Sequence, residues 1–328
     1  MANKDFNNAK KAKKDEFYTQ LIDIEREMNN YKPHFRGKTI LCNCDDPRVS
    51  KFFYYFYASF HTLGLKRLIA TCYKNLNPDL FSQNLDEKAV YCIYDGTDRA
   101  DDKYTDYDTF IKQNEWGVLK GDGDFRSAEC IELLKQADIV CTNPPFSLFR
   151  EYVAQLIEYE KKFIIIGNVN AVTYKEIFAL FKENKIWLGQ SIHSGDREFG
   201  VPENYPLEAA GFRVAENGEK YIRVKGVRWF TNLDYKDLHE DIKLYMQYNE
   251  KEFPKYDNYD AIEVSETKEI PYDYDGVMGV PITFLDKYNP DQFEIIGLTG
   301  VDITLEKGRP YINGKRMYAR ILIKRRRK

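Results

Sequence analysis

Histidine and cysteine are scarce in this sequence: four histidines lie scattered, and six cysteines (42, 44, 72, 92, 130, 141) form no CxxC pair. That spacing excludes a zinc ribbon and a disulfide scaffold, and predicts reduced thiols inside apolar segments. Long apolar runs are also missing. The longest, such as FIIIG at 163–167, fall far short of the roughly 20 residues needed to span a bilayer. The N-terminal MANKDFNNAKKAKK has no apolar signal region, so the expected location is the cytoplasm, with no membrane partner and no metal. Nor does the first candidate loop, CNCDDP (42–47), have the GxGxxG spacing that lets backbone amides approach a pyrophosphate.

What is present is a large apolar fraction, 43% of 328 residues, sufficient for a sizeable core. Net charge is −3, unevenly spread. Residues 1–14 hold five lysines against one aspartate, and KRMYARILIKRRRK (315–328) holds eight basic residues and no acid. Basic ends on an acidic body suit a polyanion, because neutralising phosphates releases counterions; solvated tails are the alternative.

From about residue 36 strands and helices alternate. KTILC (38–42), LKRLIATCY (65–73), ADIVCT (137–142), KFIIIGN (162–168) and IWLGQ (186–190) read as strands. Between them VSKFFYYFYASFHTLG, SAECIELLKQ, SLFREYVAQLIEYEKK and TYKEIFALFKENK read as helices. This rhythm predicts an α/β fold with a doubly wound parallel sheet. AVYCIYD (89–95) is an extra strand, and GVRWFTNL (226–233) one more at an edge. Beyond residue 236 the rhythm weakens among tyrosines, aspartates and prolines. The expected division is a catalytic and cofactor-binding domain over 1–235 and a smaller, less regular recognition module over 236–328, with 190–235 able to contribute to recognition.

In a doubly wound sheet, ligands bind outside the carboxyl ends of the strands. CNCDDP, GDGDFRS (121–127) and TNPPF (142–146) all fall there. The corner at Asn143, Pro144, Pro145 and Phe146 is stiffer than a chain reversal requires, although Asn-Pro is also a common turn starter. It suits methylation of an exocyclic amine. Asn143 Oδ1 and the Pro144 carbonyl would accept the amine protons, the prolines would hold those acceptors rigid, and Phe146 would stack on a base rotated out of its helix. Asp45 and Asp46 repel phosphate but suit the ammonium and sulfonium charges of S-adenosylmethionine, while Asp124 and Phe125 would bind and cover its adenine. CNCDDP also reads as a helix cap, with Pro47 at the first helical position, and GDGDFRS as an ordinary turn.

Taken together, DEFYTQ (15–20), CNCDDPRVS, GDGDFRS, TNPPFSLF, NVNAVTYKE, ENKIWLG, YDNYDAI and GVMGVPITFL resemble the EcoRI-type adenine-specific DNA methyltransferases nearly end to end. The resemblance implies a Rossmann-like S-adenosylmethionine-dependent fold and methyl transfer to N6 of a flipped adenine in duplex DNA. It also implies a monomer, paired with a restriction endonuclease. It nominates Phe17, Tyr18 and Thr19 beside the methionine end of the cofactor and Asn43 in the first loop. In that loop Asn43, Cys44 and Asp45 stand where methyltransferases usually carry glycines, and the strand ending LIATCYKN lacks the usual ribose-binding acid. The type member reads GAATTC, but the stretch from about 190 to 250 resembles the family least, so specificity is not carried over. Arg197, Arg223, Lys225 and Arg228 are the DNA contacts expected there. The alternatives are an RNA adenine methyltransferase, for which no RNA-binding motif is visible, and a catalytically silent nucleic-acid-binding protein.

Overall fold

The strand Lys162–Asn168 spans the whole of KFIIIGN, and its five central residues are buried. A continuous apolar run of this kind belongs in the middle of a sheet covered on both sides. In the computed structural model, which describes residues 18–73, 88–97, 107–193, 196–201, 211–302, 305 and 307–326, the chain divides into two units. The first comprises residues 1–168 and 194–233, the second 169–193 and 234–328.

The first unit is built on a large mixed sheet. Its strands are β1 (Thr39–Cys42), β2 (Arg67–Thr71), β3 (Val90–Tyr94), β4 (Gly117–Val118), β5 (Ile139–Thr142) and β6 (Lys162–Asn168), joined by the later strand Val227–Thr231. These run in the order β4-β3-β2-β1-β5-β6 with Val227–Thr231 beyond β6. The pairs β1 with β2, β1 with β5 and β5 with β6 are parallel. β3 is antiparallel to both β2 and β4, and Val227–Thr231 is antiparallel to β6. The all-parallel expectation therefore holds for the four central strands and fails at both flanks. The predicted strand at 89–95 is present with its direction reversed. Because β3 and β4 each reverse, β4 points the same way as β2, so the GDGDF loop emerges from the same edge as the loops after β1 and β5.

The aromatic sequence KFFYYFYA forms the helix Lys51–Ala58, capped by Ser50 Oγ accepting from Phe53 N at 3.4 Å. Aromatics are mediocre helix formers. Burial compensates: Tyr57 packs on Phe110 at 4.5 Å and on Tyr94 at 4.8 Å, and pairs of this kind contribute about 0.5–1.5 kcal/mol each beyond area burial. The cap lies four residues beyond Asp46, which corrects the expectation that Pro47 opens the helix.

A separate antiparallel sheet in the same unit contains Asp196–Val201, Lys220–Lys225 and Arg213–Val214. Tyr18 adds to its edge, exchanging backbone hydrogen bonds with Gly200 at 2.8 and 2.9 Å.

The second unit holds a four-stranded sheet of Ile262–Glu263, Met278–Val280, Ile321–Arg325 and Phe293–Leu298, in that order. The helix Lys175–Lys182 belongs to this unit, with Lys182 paired to Asp302 at 3.0 Å and Tyr288 Oη donating to Asn184 at 2.6 Å. The segment 169–193, expected with the catalytic domain, thus groups with residues 234–328. Inside the unit, Arg320 donates to the buried Glu263 at 2.6 and 2.9 Å, and Tyr256 donates to the same carboxylate.

Candidate active site

At the end of β5 the chain turns through Asn143 and Pro144, both buried, into Pro145 at φ −55° and ψ 125°. A short 3₁₀ turn, Phe146–Leu148, follows, with Leu148 N bonded to Pro145 O at 3.0 Å, and then the helix Phe149–Glu158. Neither proline can donate to a ladder, so the strand stops and the two residues before Phe146 have little freedom. Asn143 is 6% exposed and Phe146 half-buried.

The first loop is anchored to this corner. Thr142 Oγ1, one residue before Asn143, donates to the Asn43 carbonyl, and Tyr152 Oη donates to Asn43 Oδ1. Cys44 sits at φ +81°, a conformation that costs a non-glycine residue of the order of 1 kcal/mol and persists where surrounding contacts enforce it. Desolvation pushes the Cys44 thiol well up and keeps it neutral. Asp45 is half-buried. Asp46 is engaged inside its own turn: its carboxylate accepts Arg48 N at 3.0 Å and grips the Arg48 guanidinium at 2.9 and 2.5 Å.

The GDGDF loop closes on the same group. Gly123 has φ +79°, and a Cβ there would lie 1.9 Å from the Cys72 carbonyl, so only glycine lets this loop press against the end of β2. Phe125 is buried with its ring 5.0 Å from that of Tyr152, edge to face, and its carbonyl accepts Gln155 Nε2 at 3.1 Å. Asp124 faces Arg126, whose fork binds both carboxylate oxygens at 2.9 and 2.6 Å and holds the carboxyl below its usual range. Arg126 also reaches Glu151 at 2.8 Å. As an adenine-holding group Asp124 would act beside this ion pair.

The start of the Asn143 corner is thus joined to Asn43 through Thr142, and Asn43 to Phe125 through Tyr152, a residue that sequence reasoning missed. Its only signal is an aromatic six positions beyond Phe146, on a helix whose Phe149, Val153 and Leu156 already mark a buried stripe.

Tyr18 and Thr19 stand beside Arg48 and Ser50, which continue the first loop. They line a cavity of about 780 Å³ together with Arg48, Ser50, Tyr54 and Tyr107. The lining includes none of Asn143, Asp124 and Phe125. Thr19 Oγ1 is buried without a hydrogen-bond partner among the described residues, an unmet donor that a polar ligand would satisfy. Phe17 lies outside the described residues.

The basic residues separate. Arg223 and Lys225 are exposed and lie on one face of Lys220–Lys225, opposite Glu198 and Asp196. Arg197, paired across to Val224, takes the other face, with Nε 3.9 Å from Asp23. Arg228 is 5% exposed and donates to the Val227 carbonyl at 2.9 Å. Among the described residues, no cluster of three metal-ligating side chains occurs and no helix is long and apolar enough to cross a membrane.

The sequence profile of the family described as Adenine-specific methyltransferase EcoRI matches residues 5–326. Type II methyltransferase M.EcoRI of Escherichia coli is 53% identical, over 99% of this chain and 97% of its own length. Type II methyltransferases M.MpnI of Mycoplasma pneumoniae and M.MgeORF184P of Mycoplasma genitalium are 41% and 39% identical, each over 98% of both chains. No solved structure gives a significant match. With the Asn-Pro-Pro-Phe corner, its two companion loops and nearly the whole chain matched, this protein belongs to the EcoRI family of adenine-specific methyltransferases.

Proposed function

We propose that this protein is a site-specific DNA methyltransferase of a restriction-modification system, transferring a methyl group to N6 of an adenine flipped out of duplex DNA. The observation that carries the reading is the Asn143 corner, held to the first loop through Thr142 and Tyr152 in a chain of this family. S-adenosylmethionine, when bound, supplies the electrophilic methyl group. The residues suited to hold it are Asn43 and Asp45 in the first loop, Asp124 and Phe125 in the second, and Tyr18 and Thr19 at the cavity with its unmet Thr19 hydroxyl. Asp46, already gripped by Arg48, shapes the first loop. This division supports a Rossmann-like methyltransferase core in the first unit and target recognition in the second.

The chemistry asked of the chain is specific. An adenine amine shares its lone pair with the ring, so the pocket must draw the amine protons out of the ring plane. Asn143 Oδ1 and the Pro144 carbonyl are the two acceptors, and the rigid corner lets them act with little rearrangement. Phe146 stacks on the extruded base and offsets part of the few kcal/mol that flipping costs. After transfer the amine proton departs to solvent. The exposed face that carries Arg223 and Lys225 supports a phosphate-contacting role for them.

Expression in a host without adenine methylation, followed by modification-sensitive sequencing, tests the reading. N6-methyladenine confined to one short motif is expected from the wild type and none from Asn143→Ala. A soluble, cofactor-binding wild type that leaves the DNA unmodified would overturn it.

A further inference from the structure

The second unit carries a small hairpin whose mounting is unusually firm. Tyr311–Ile312 and Lys315–Arg316 pair antiparallel, with Tyr311 opposite Arg316 and Ile312 opposite Lys315. The two-residue loop is Asn313-Gly314, at φ +50° and +73°, the primed turn whose twist matches that of the flanking strands. Met317 N closes a further rung on Pro310 O at 2.8 Å.

Side chains from the YDNYD segment hold it in place. Asp257 accepts Asn313 N at 3.1 Å and Gly314 N at 2.8 Å, and its own N–H donates to Tyr311 O at 2.8 Å. Asn258 accepts Tyr311 N at 3.1 Å and donates to the Lys307 and Arg309 carbonyls, both at 2.9 Å. Tyr259 Oη donates to Gly308 O at 2.5 Å. Ile312 packs against Tyr256, Tyr259, Ala261 and Leu322. Isolated two-stranded ribbons are marginal in water, so this much support argues that the presented surface has a use.

That surface is basic and aromatic. Lys315, on the face of Ile312, and Arg316, on the opposite face with Tyr311, are both exposed and make no ion pair among the described residues, and Lys307 lies 5.8 Å over the Tyr259 ring. Tyr318, just beyond the second strand, is 81% exposed, and Tyr311 38%. Asp257, the acid nearest the tip, points its carboxylate at backbone amides. Exposed cations beside open aromatic rings, on a ribbon narrow enough to enter a DNA groove, match a duplex better than a protein surface.

We propose that the hairpin Tyr311–Arg316, with Tyr318 at its base, is a duplex-DNA-contacting element in which Lys315 and Arg316 engage the backbone or groove edge. This rests on the DNA methyltransferase reading above and adds to it a contact surface outside the Arg223 and Lys225 strand.

The full-length protein would be titrated with its methylatable duplex across a salt series, as wild type, Lys315→Gln/Arg316→Gln and Tyr318→Ala. For the double variant the expected result is on the order of tenfold weaker binding and a salt slope reduced by about 2. Tyr318→Ala should weaken binding with the slope unchanged, because it removes no charge. Cofactor binding and thermal unfolding should match wild type in both. Wild-type affinity and slope in the double variant would overturn the proposal, as would a loss confined to an RNA duplex of the same sequence. A wild type that neither binds nor methylates duplex DNA would instead overturn the functional reading itself.

Discussion

The Tyr152 hydroxyl donates to Asn43 Oδ1, tying the helix after the Asn-Pro-Pro-Phe corner to the loop after the first strand. Both partners are buried, so the bond is made away from competing water. Tyr152→Phe keeps the ring against Phe125 and removes only the donor. The expected loss is about 1–2 kcal/mol of stability, from an acceptor left with the weak Cys44 thiol at 3.7 Å, together with weaker cofactor binding. Denaturant unfolding and calorimetric titration check the two effects, and unchanged values in both would refute the coupling.

Gly123→Ala places a methyl carbon where the Cys72 carbonyl already stands and asks a left-handed backbone of a residue that resists it. The loop must move away from β2, carrying Asp124 and Phe125 with it. Cofactor affinity should fall at least tenfold, with some loss of stability because the buried Phe125 is drawn off Tyr152. Titration with S-adenosylmethionine measures the affinity.

Arg320→Met leaves Glu263 buried with only Tyr256 as donor. Breaking such a pair from one side typically costs about 3–5 kcal/mol, whereas replacing both partners with apolar residues is often close to neutral. The double variant Arg320→Met/Glu263→Leu should therefore be more stable than the single, a comparison that chemical denaturation makes directly.

His239 lies between Asp291 at 2.6 Å and Asp234 at 2.8 Å, and these hydrogen bonds, Asp291 foremost, raise its pKa above the ordinary value. The imidazolium is thus favoured in the folded state. Its contribution is fully present below the unfolded pKa of about 6.5 and is lost as pH rises through the folded value. Nuclear magnetic resonance titration should find its midpoint above 6.5. The stability difference between wild type and His239→Gln should shrink from pH 6 toward pH 9.

Asp257→Ala separates firmness from charge in the hairpin. Removing an acid near cations would strengthen DNA binding if charge alone mattered. Loss of the two backbone clamps at Asn313 and Gly314 should weaken it instead, with the salt slope preserved.

Much of the core was legible because its signals are local. A continuous apolar run identified β6 to the residue, and Ser127 before AECIELL announced a helix that begins one residue later. What escaped depends on pairing across distance. Nothing within VYCIY distinguishes a parallel from an antiparallel neighbour, so β3 was found and its direction was not. The same limit applied at the site. Asn143 and Phe125 stand in recognisable strings, whereas Tyr152 acts through contacts with residues 27 and 109 positions away. The charge of Arg228 is visible in sequence and its burial is not.

Because the second unit is assembled from two stretches of chain, it is not a cassette with one seam. A C-terminal segment exchanged between relatives at residue 235 would separate Lys182 from Asp302 and Asn184 from Tyr288, stranding a helix whose Phe178 and Phe181 are built for burial. Grafts that carry residues 169–193 along with 234–328 are the ones that should fold, so moving this unit between relatives requires three junctions.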